Sequence, residues 1–419
     1  MIERLKQITS FQWYHLLLSL LIFTFCFAPN SIALFVILLS FFTAVQAVKG
    51  KMKFKMSTVS MGFLVFFLAY VFGTFFTNHL TDALHSLERK MVFVAFPILF
   101  SFRFDRKLNF QPIAIGLILG VLVCSFLGLM HSYRMYALHG DFNNNFGSTT
   151  FSYIHHPTYL SAFLLVAFLF AIEGYKLKWR YFNLLTVGIF SVFVSFMQFF
   201  CFSFAGLLFL FFVLIFLVYK SIYQRTSRSI FYLSLIALPL FPVVAYKSNL
   251  NVRIVLNDTL ADVKAFLINP KSVLENHTEP LTGNVVRLIL WTVSVEQVAE
   301  HPFGVGTSNL DDAIGARLRK YGLNDLASQN YNSHNQYLQI AVEIGVLGLI
   351  LFLGLLGLIF AYAIKWKDTL LFLICANLAF NCIFESMLQR QSGIVFYTFV
   401  LLLVYMVNFD KTLRNFIQK

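Results

Sequence analysis

Charged residues are scarce in this sequence. They make up only 12 % of its 419 residues, about half the fraction found in an average soluble domain. A soluble globule of this size with so few charges would expose broad apolar surface to water, which excludes an ordinary soluble enzyme. Apolar residues account for 58 %, including 52 phenylalanines, and the mean hydropathy is +0.74. The composition therefore indicates an integral membrane protein.

Several motifs of enzyme chemistry are also missing. The five cysteines have no CxxC spacing, fall in or beside apolar runs, and are interpreted as small buried hydrophobic residues. There is no GxGxxG, GxxxxGK[ST] or Gly-x-Ser-x-Gly motif, and no Asp-x-Asp or Glu-x-Asp pair. Nucleotide-driven chemistry and a metal-dependent glycosyltransferase site are therefore unsupported, and we expect neither a cofactor nor a metal ion.

Apolar runs suited to a transmembrane helix, which needs about 20 residues, occur repeatedly along the chain. The predicted crossings are 11–29, 31–48, 58–77, 88–103, 111–130, 157–175, 181–198, 203–219, 230–246, 335–364, 369–386 and 393–409. With the N-terminus inside, 20 of the 32 Lys and Arg residues fall in the inside segments, as the positive-inside rule requires. We therefore expect an all-α polytopic membrane protein with about twelve transmembrane helices and both termini cytoplasmic. The net charge of +13 is then mostly a topology signal and requires no nucleic acid.

One outer segment, between the ninth and tenth predicted crossings, is much longer than the others. It divides the chain into residues 1–246 with nine crossings, the loop 247–334, and residues 335–419 with three crossings and a cytoplasmic tail. Loops this long are usually functional. An amphipathic stripe runs from Leu256 to Leu267, and a second helix is predicted from Val285 to Ala299, ended by His301-Pro302. We expect this loop to form a helical cap on the outer membrane surface.

His334 stands where the long loop re-enters the membrane. Asn335 follows it directly, and Gly345 and Gly348 lie further along the same apolar helix. Glycines at these positions let a neighbouring helix approach closely, which would fix the start of the helix and hence the imidazole. An imidazole at a wet membrane boundary can accept a proton near neutral pH. A histidine that only caps the helix is the alternative, and residue type alone favours it.

Arg287 lies within the apolar run Val285–Trp291. A guanidinium in such a setting needs an anion to offset its desolvation, and its planar fork suits a carboxylate or a phosphate. The alternatives are an Arg that snorkels from a surface helix, or an ion pair with Glu296 or Asp262.

Three further cations are predicted on the outer side. Arg89 and Lys90 open the fourth crossing, and Arg390 lies in the very short last outer loop. Each can either anchor the chain to lipid head groups or bind phosphate at the membrane surface. For Arg390 a pair with Glu385 is another simple alternative.

Three stretches resemble the O-antigen ligase and O-antigen polymerase superfamily. His334-Asn335, nine residues, Gly345, two residues and Gly348 fit the ligase pattern His-[Asn/Ser/Gln]-x9-Gly-x-x-[Gly/Thr/Tyr]. The other two are Arg287…Trp291…His301–Gly306, and Glu385–Leu388 followed by Gln391–Gly393. The number of crossings and the long late outer loop are also similar, but residues 285–393 carry the specificity of the resemblance.

The resemblance implies a GT-C-like glycosyltransferase of the bacterial inner membrane, with its active site facing the periplasm. Such an enzyme moves a glycan from undecaprenyl diphosphate to lipid A–core in the ligases, to another repeat unit in the polymerases, or to a protein in further relatives. The complete His/Gly pattern favours a ligase. His334 matches the essential His, expected to act as general base, and Arg287 matches an essential diphosphate-binding Arg. Arg89 and Lys90 match the family's basic residues at the start of the fourth helix less closely.

One departure from the family pattern concerns the diphosphate clamp. Many members carry Ser-Arg-Ala-Gly at the start of a middle helix, whereas this chain has Phe204 in place of the Arg. Arg89, Lys90 or Arg390 would then have to supply the missing cation.

Two other classes of protein remain as alternatives. Transporters of lipid-linked glycans usually place charged groups at mid-membrane. Here the predicted crossings are almost free of charge at their centres, which favours an enzyme. A structural assembly partner would tolerate the loss of His334.

Overall fold

The computed structural model describes residues 9–106, 108–140, 145–224, 260–271, 274 and 283–417. These residues are mostly helical. The helices are α1 (Ser10–Phe25), α2 (Ile32–Val48), α3 (Thr58–Gly73), α4 (Leu80–Lys90), α5 (Val92–Ser101), α6 (Gln111–His139), α7 (Ser148–Phe151), α8 (Pro157–Lys176), α9 (Leu184–Cys201), α10 (Phe204–Gln224), α11 (Gly283–Glu300), α12 (Leu310–Lys320), α13 (Asn324–Ser328), α14 (Gln336–Lys365), α15 (Thr369–Phe384) and α16 (Gln391–Ile417). Two short strands, β1 (Met52–Phe54) and β2 (Phe102–Phe104), pair antiparallel.

The described residues form an all-α, multi-pass membrane protein. Seven helical segments are long and apolar enough to cross a bilayer: Pro29–Val48, Thr58–Phe76, Gln111–His139, Pro157–Lys176, Leu184–Cys201, Gln336–Lys365 and Gln391–Phe409. Three shorter apolar helices, Ser10–Phe25, Phe204–Leu217 and Thr369–Phe384, coincide with further predicted crossings. The ninth predicted crossing, 230–246, lies outside the described residues, so the total of twelve stays a prediction.

The fourth predicted crossing differs from the structure. The sequence predicts one helix over 88–103, but the chain forms α4, which ends at Lys90, and a separate apolar helix α5 of 10 residues. At about 1.5 Å per residue, α5 is roughly 15 Å long, about half the hydrocarbon thickness. α4 has one polar and one apolar face. Its polar residues interrupt the apolar run, which explains why the sequence did not predict a helix that begins at Leu80. Arg89 and Lys90 therefore end an amphipathic helix and do not open a crossing.

α8 is the central helix of the bundle. Nearly all of its residues are buried, and it contacts α6, α9, α10, α15 and α16. Because α8 is apolar around its whole circumference, it can be buried on every side. Its N-terminus therefore starts deep within the protein, and His156, the residue before Pro157, is held there by the surrounding helices.

The two ends of the bundle have different chemistry. At one end, which we call the basic end, Lys53 of β1 pairs with Arg103 of β2. The start of α3 meets the end of α14 at the same end, where the Thr58 and Tyr362 hydroxyls are 2.8 Å apart. The pairing brings two predicted inside loops together, as the charge distribution requires. The helices place His156, His334 and Glu385 at the other end.

The described part of the long loop forms a small helical cap, built from α11, α12 and α13. Its own core contains Ile289, Val293, Leu310, Ile314 and Leu318. The predicted helix Val285–Ala299 is observed as Gly283–Glu300, so the Gly283-Asn284 pair lies within the helix and not before it. Residues 260–268 are also helical, in agreement with the second half of the predicted amphipathic stripe.

Candidate active site

His334 lies in a tightly held turn just before α14. Its backbone has a φ of 43°, a left-handed conformation that is uncommon outside glycine. Asn332 accepts a 2.8 Å hydrogen bond from the His334 amide, and the Trp291 indole of the cap donates to the His334 carbonyl at 3.4 Å. Asn335 caps the helix, because its side chain accepts from the amides of Tyr337 and Leu338. Asn335 therefore caps α14, and the imidazole of His334 remains available for another role.

The imidazole of His334 bonds to a buried carboxylate. Its Nδ1 lies 3.1 Å from Oε2 of Glu385, which directly follows α15 and is 4 % exposed. Because an ionised carboxylate can only accept, Nδ1 must carry a proton, and in the neutral imidazole Nε2 is then the nitrogen with the free lone pair. Burial raises the pKa of Glu385, but the His334 hydrogen bond and the charges of His334, His156 and Arg287 outweigh it and lower the pKa to about 2. Glu385 is therefore ionised at neutral pH.

A second imidazole faces the same carboxylate. Nδ1 of His156 is 4.0 Å from Oε2 of Glu385 and has no hydrogen-bond partner among the described residues. Burial lowers the pKa of His156; Glu385 raises it, whereas Arg390, His334 and Arg287 lower it further. His156 is therefore neutral at pH 7. Neighbouring His155 has a different role, because its two ring nitrogens contact Ser392 and the Cys26 carbonyl.

Arg287 extends from the cap towards this cluster. Its charge lowers the pKa of both Glu385 and His156, so it lies within electrostatic range of both groups. Its only described hydrogen bond is from Nη1 to the Gly283 carbonyl at 3.4 Å, and its buried Nε has no partner in the described part of the chain. The predicted alternative of a Glu296 pair is wrong, since Glu296 instead accepts from Arg317 at 3.1 Å. The guanidinium thus keeps donors for an anion.

The remaining predicted cations are placed differently from one another. Arg390 is exposed, and it acts electrostatically on His156 at the edge of the cluster. The predicted pair of Arg390 with Glu385 is not formed, because Glu385 bonds to His334. Arg89 is exposed on α4. Lys90, in contrast, is fully buried and bonds to Ser86 and Gln389, so its ammonium is not free to meet a surface diphosphate.

Gly345 and Gly348 have roles other than the predicted helix–helix contact. Gly345 has a φ of 75° within a kink of α14, and a Cβ there would lie 2.5 Å from the Phe303 carbonyl carbon. The close partner is thus the cap turn 302–306. A Cβ on Gly348 would meet the Ile344 side chain at 2.3 Å, so this glycine makes room for a residue of its own helix. Both glycines serve the kink.

Two members of the cluster were not recognised as site residues from the sequence. Glu385 was considered as a partner of Arg390 and as part of a stretch that resembles the family, and His156 was not assigned to the site. The sequence does contain one signal for both residues. His156 directly precedes the apolar helix α8, and Glu385 directly follows the apolar helix α15, so each is a titratable residue at the end of an apolar run. His334 and Glu385 are 51 positions apart in the sequence, so their contact cannot be recognised from neighbouring residues.

The arrangement suits proton abstraction beside an anion. A carboxylate fixes the tautomer of His334 and stabilises its charged form, as in other acid–base pairs. Arg287 and Arg390 lie within electrostatic range of His156 and offer cationic donors for a negatively charged ligand. Phe204, which stands where many family members have Arg, is exposed at the start of α10.

Part of the chain is similar to a known protein family. The model of the O-antigen ligase family matches residues 157–353, a segment that includes Arg287, His334 and Gly345. No curated protein matches the chain. The match confirms the resemblance to the O-antigen ligase and polymerase superfamily found in the sequence, and it supports a membrane enzyme of this general type.

Proposed function

We propose that this protein is an O-antigen ligase-type glycosyltransferase that moves a glycan from undecaprenyl diphosphate to a hydroxyl acceptor at the periplasmic side of the inner membrane. The observation that carries the proposal is the bond between Nδ1 of His334 and the ionised Glu385, 3.1 Å long, within electrostatic range of the Arg287 guanidinium. In the proposed site, His334 is a base with a free Nε2, and Arg287 is a cation with unused hydrogen-bond donors.

In the proposed reaction, Nε2 of His334 takes the proton of the acceptor hydroxyl. The acceptor oxygen attacks the anomeric carbon from the face opposite the diphosphate, and the bond from that carbon to the phosphate oxygen breaks. Its electron pair leaves with undecaprenyl diphosphate, so the anomeric configuration is inverted. General base catalysis of this kind contributes roughly 100- to 10,000-fold.

Arg287 would stabilise the charge that grows on the leaving diphosphate. Preformed donors of this kind are each worth roughly 100- to 1,000-fold in turnover. Arg390, and Arg89 further out, supply additional positive charge at the same end of the bundle. The diphosphate is already a good leaving group, so the proposed transfer requires neither a nucleotide nor a metal ion.

The test is transfer by the purified protein, reconstituted in vesicles with undecaprenyl diphosphate-linked glycan and acceptor. His334→Ala should fold and lose transfer, while His85→Ala, an exposed histidine of α4, should retain it. Normal transfer by the His334→Ala variant would refute the base assignment. Movement of the donor across the bilayer without transfer would indicate a transporter.

The acceptor is proposed to be lipid A–core, and a polymerase or a protein O-oligosaccharyltransferase are the alternatives within the family. A gel of surface glycan from a deletion strain separates the first two possibilities. Loss of all capped lipid indicates a ligase, whereas lipid capped with single repeat units indicates a polymerase. Unchanged lipid together with loss of glycan from a protein indicates the third.

A further inference from the structure

A buried polar cluster lies behind the candidate site and is not explained by the proposed chemistry. It consists of Lys90 at the end of α4, Gln339 and Glu343 of α14, and Gln389 of the loop between α15 and α16. The side chains of Lys90, Gln339 and Glu343 are 0 %, 3 % and 4 % exposed. Two opposite charges are therefore enclosed within the protein, where each requires hydrogen-bond partners.

Gln389 bridges the two charges. The Lys90 ammonium donates to Oε1 of Gln389 at 3.1 Å, and Nε2 of Gln389 donates to Oε2 of Glu343 at 3.1 Å. The ammonium also donates to the Ser86 hydroxyl at 2.7 Å and lies 4.5 Å from the centre of the Tyr70 ring. The amide is thus oriented by both charges, with its oxygen towards the cation and its nitrogen towards the carboxylate.

The same cluster extends to the two residues that flank the catalytic pair. Nε2 of Gln339 donates to Oε1 of Glu343 at 3.1 Å, while its Oε1 accepts from the Ser333 amide at 3.2 Å and the Ser386 hydroxyl at 3.4 Å. Ser333 precedes His334, and Ser386 follows Glu385. The buried charges are therefore connected to both members of the pair through side-chain amides.

From these contacts we propose that Lys90 is a positioning residue, which acts through Gln389 to hold residues 385–390 and thereby the locations of Glu385 and Arg390. This inference rests on the proposed function. It replaces the expectation that Lys90 binds the donor diphosphate directly. A buried charge resists displacement because moving it would leave its partner unpaired. The loop between α15 and α16 is consequently anchored to α4 and α14, although it is very short.

Gln389→Met gives the most direct test, because it removes the bridge and leaves both charges in place. We expect the thermal midpoint to fall only slightly and kcat per folded protein to fall roughly 10- to 100-fold, since misplacement of a catalytic group by about 1 Å can cost 100-fold. Amide hydrogen exchange in residues 385–391 should increase. The control is Gln329→Met, at an exposed position beyond α13, which should change none of these quantities.

A direct role of Lys90 in binding predicts the opposite pattern. The Gln389→Met variant would then keep its kcat, because the cation is still present, and hydrogen exchange in residues 385–391 would stay unchanged. Either result would overturn the proposal. If the wild-type protein transfers no glycan, the proposed function fails, and the exchange measurement alone then decides whether the cluster holds the loop.

A pair of Lys90 variants separates positioning from stability alone. Lys90→Met leaves Glu343 unpaired and should lower the thermal midpoint. Adding Glu343→Leu removes the unpaired charge and should restore the midpoint, since buried ion pairs can be replaced by apolar residues without loss of stability. We expect kcat to stay low in this double variant because Gln389 has lost both partners. Recovery of kcat together with the midpoint would show that the cluster only stabilises the fold.

Discussion

Replacing Glu385 with Gln tests how strongly the carboxylate supports His334. The change preserves the size of the side chain, and the amide oxygen can still accept the hydrogen bond from Nδ1. The negative charge is lost, and the amide NH2 takes the place of Oε1, which accepts from the Ser386 amide at 3.0 Å in the wild type. The thermal midpoint should therefore fall slightly, because the Ser386 amide loses this acceptor.

The expected size of the effect follows from the separation of the two groups. At 3.1 Å and an effective dielectric constant of about 20, a full imidazolium and a carboxylate attract each other by about 5 kcal/mol. If about half of the positive charge has developed on His334 in the transition state, roughly 2.7 kcal/mol is lost, which corresponds to about a 100-fold decrease in kcat. Glu385→Asp keeps the charge but moves it away from Nδ1, and it should have a smaller effect.

The assay is the initial rate of glycan transfer in reconstituted vesicles, with the thermal midpoint measured on the same preparation. Glu88→Gln is the matched control, because Glu88 lies 3.7 Å from His85 in a His–Glu pair on the surface of α4. This control should keep the wild-type rate. If Glu385→Gln transfers at the wild-type rate while His334→Ala is inactive, the carboxylate does not assist the imidazole and the reasoning is wrong.

Three further predictions follow from the site and its helix. Arg287→Lys should lower kcat/KM for the donor roughly 100-fold, because a point charge does not replace a bidentate fork; an unchanged kcat/KM would contradict diphosphate binding. Burial lowers the pKa of His156 below 6.5, so the folded chain binds fewer protons than the unfolded chain, and the thermal midpoint should fall as the pH decreases below that value. His156→Gln should reduce this fall, and an identical pH dependence in wild type and variant would count against it. Gly345→Ala should lower the free energy of unfolding by about 2–4 kcal/mol, because the new Cβ combines a positive φ with a backbone clash. Gly354→Ala, in open space on the same helix, should raise the free energy of unfolding by about 0.5–1 kcal/mol. Equal thermal midpoints for the two variants would contradict the role of Gly345 in the kink.

The sequence predicted the described fold best where one helix is apolar throughout. Helices α8 and α14 begin and end within a few residues of the expected positions, because a bilayer imposes a minimum apolar length. It failed at residues 88–103, where an amphipathic helix precedes a short apolar one. A search for about 20 consecutive apolar residues combines the end of α4 with α5, although the two helices have different environments. The boundary between them, at Met91, has no local marker such as Pro or Gly.

The candidate site was predictable in part, for a different physical reason. His334 was identified because a polar residue directly before an apolar helix has a local meaning, as a base or as a helix cap, and Asn335 was identified as part of the same motif. The partners of His334 could not be identified, because Glu385 and His156 reach it only through tertiary packing. Lys90 was assigned to the surface because its charge suggests exposure, and nothing in the neighbouring residues reveals that Gln389 and Glu343 enclose it.

The spacing between His334 and Gly345 has a geometric explanation in the structure. The helical residues between Asn335 and the kink span about 13 Å at 1.5 Å per residue. The cap turn docks at the kink, where the Val305 and Gly306 amides donate to the Val342 and Glu343 carbonyls at 2.8 and 3.0 Å. α11 ends directly before this turn, so the docking point determines where Arg287 lies. One inserted residue would rotate the docking point by about 100° around α14 relative to His334. The nine-residue interval therefore sets the distance between the imidazole of His334, just before α14, and the guanidinium of Arg287 on the cap, which are far apart in the sequence.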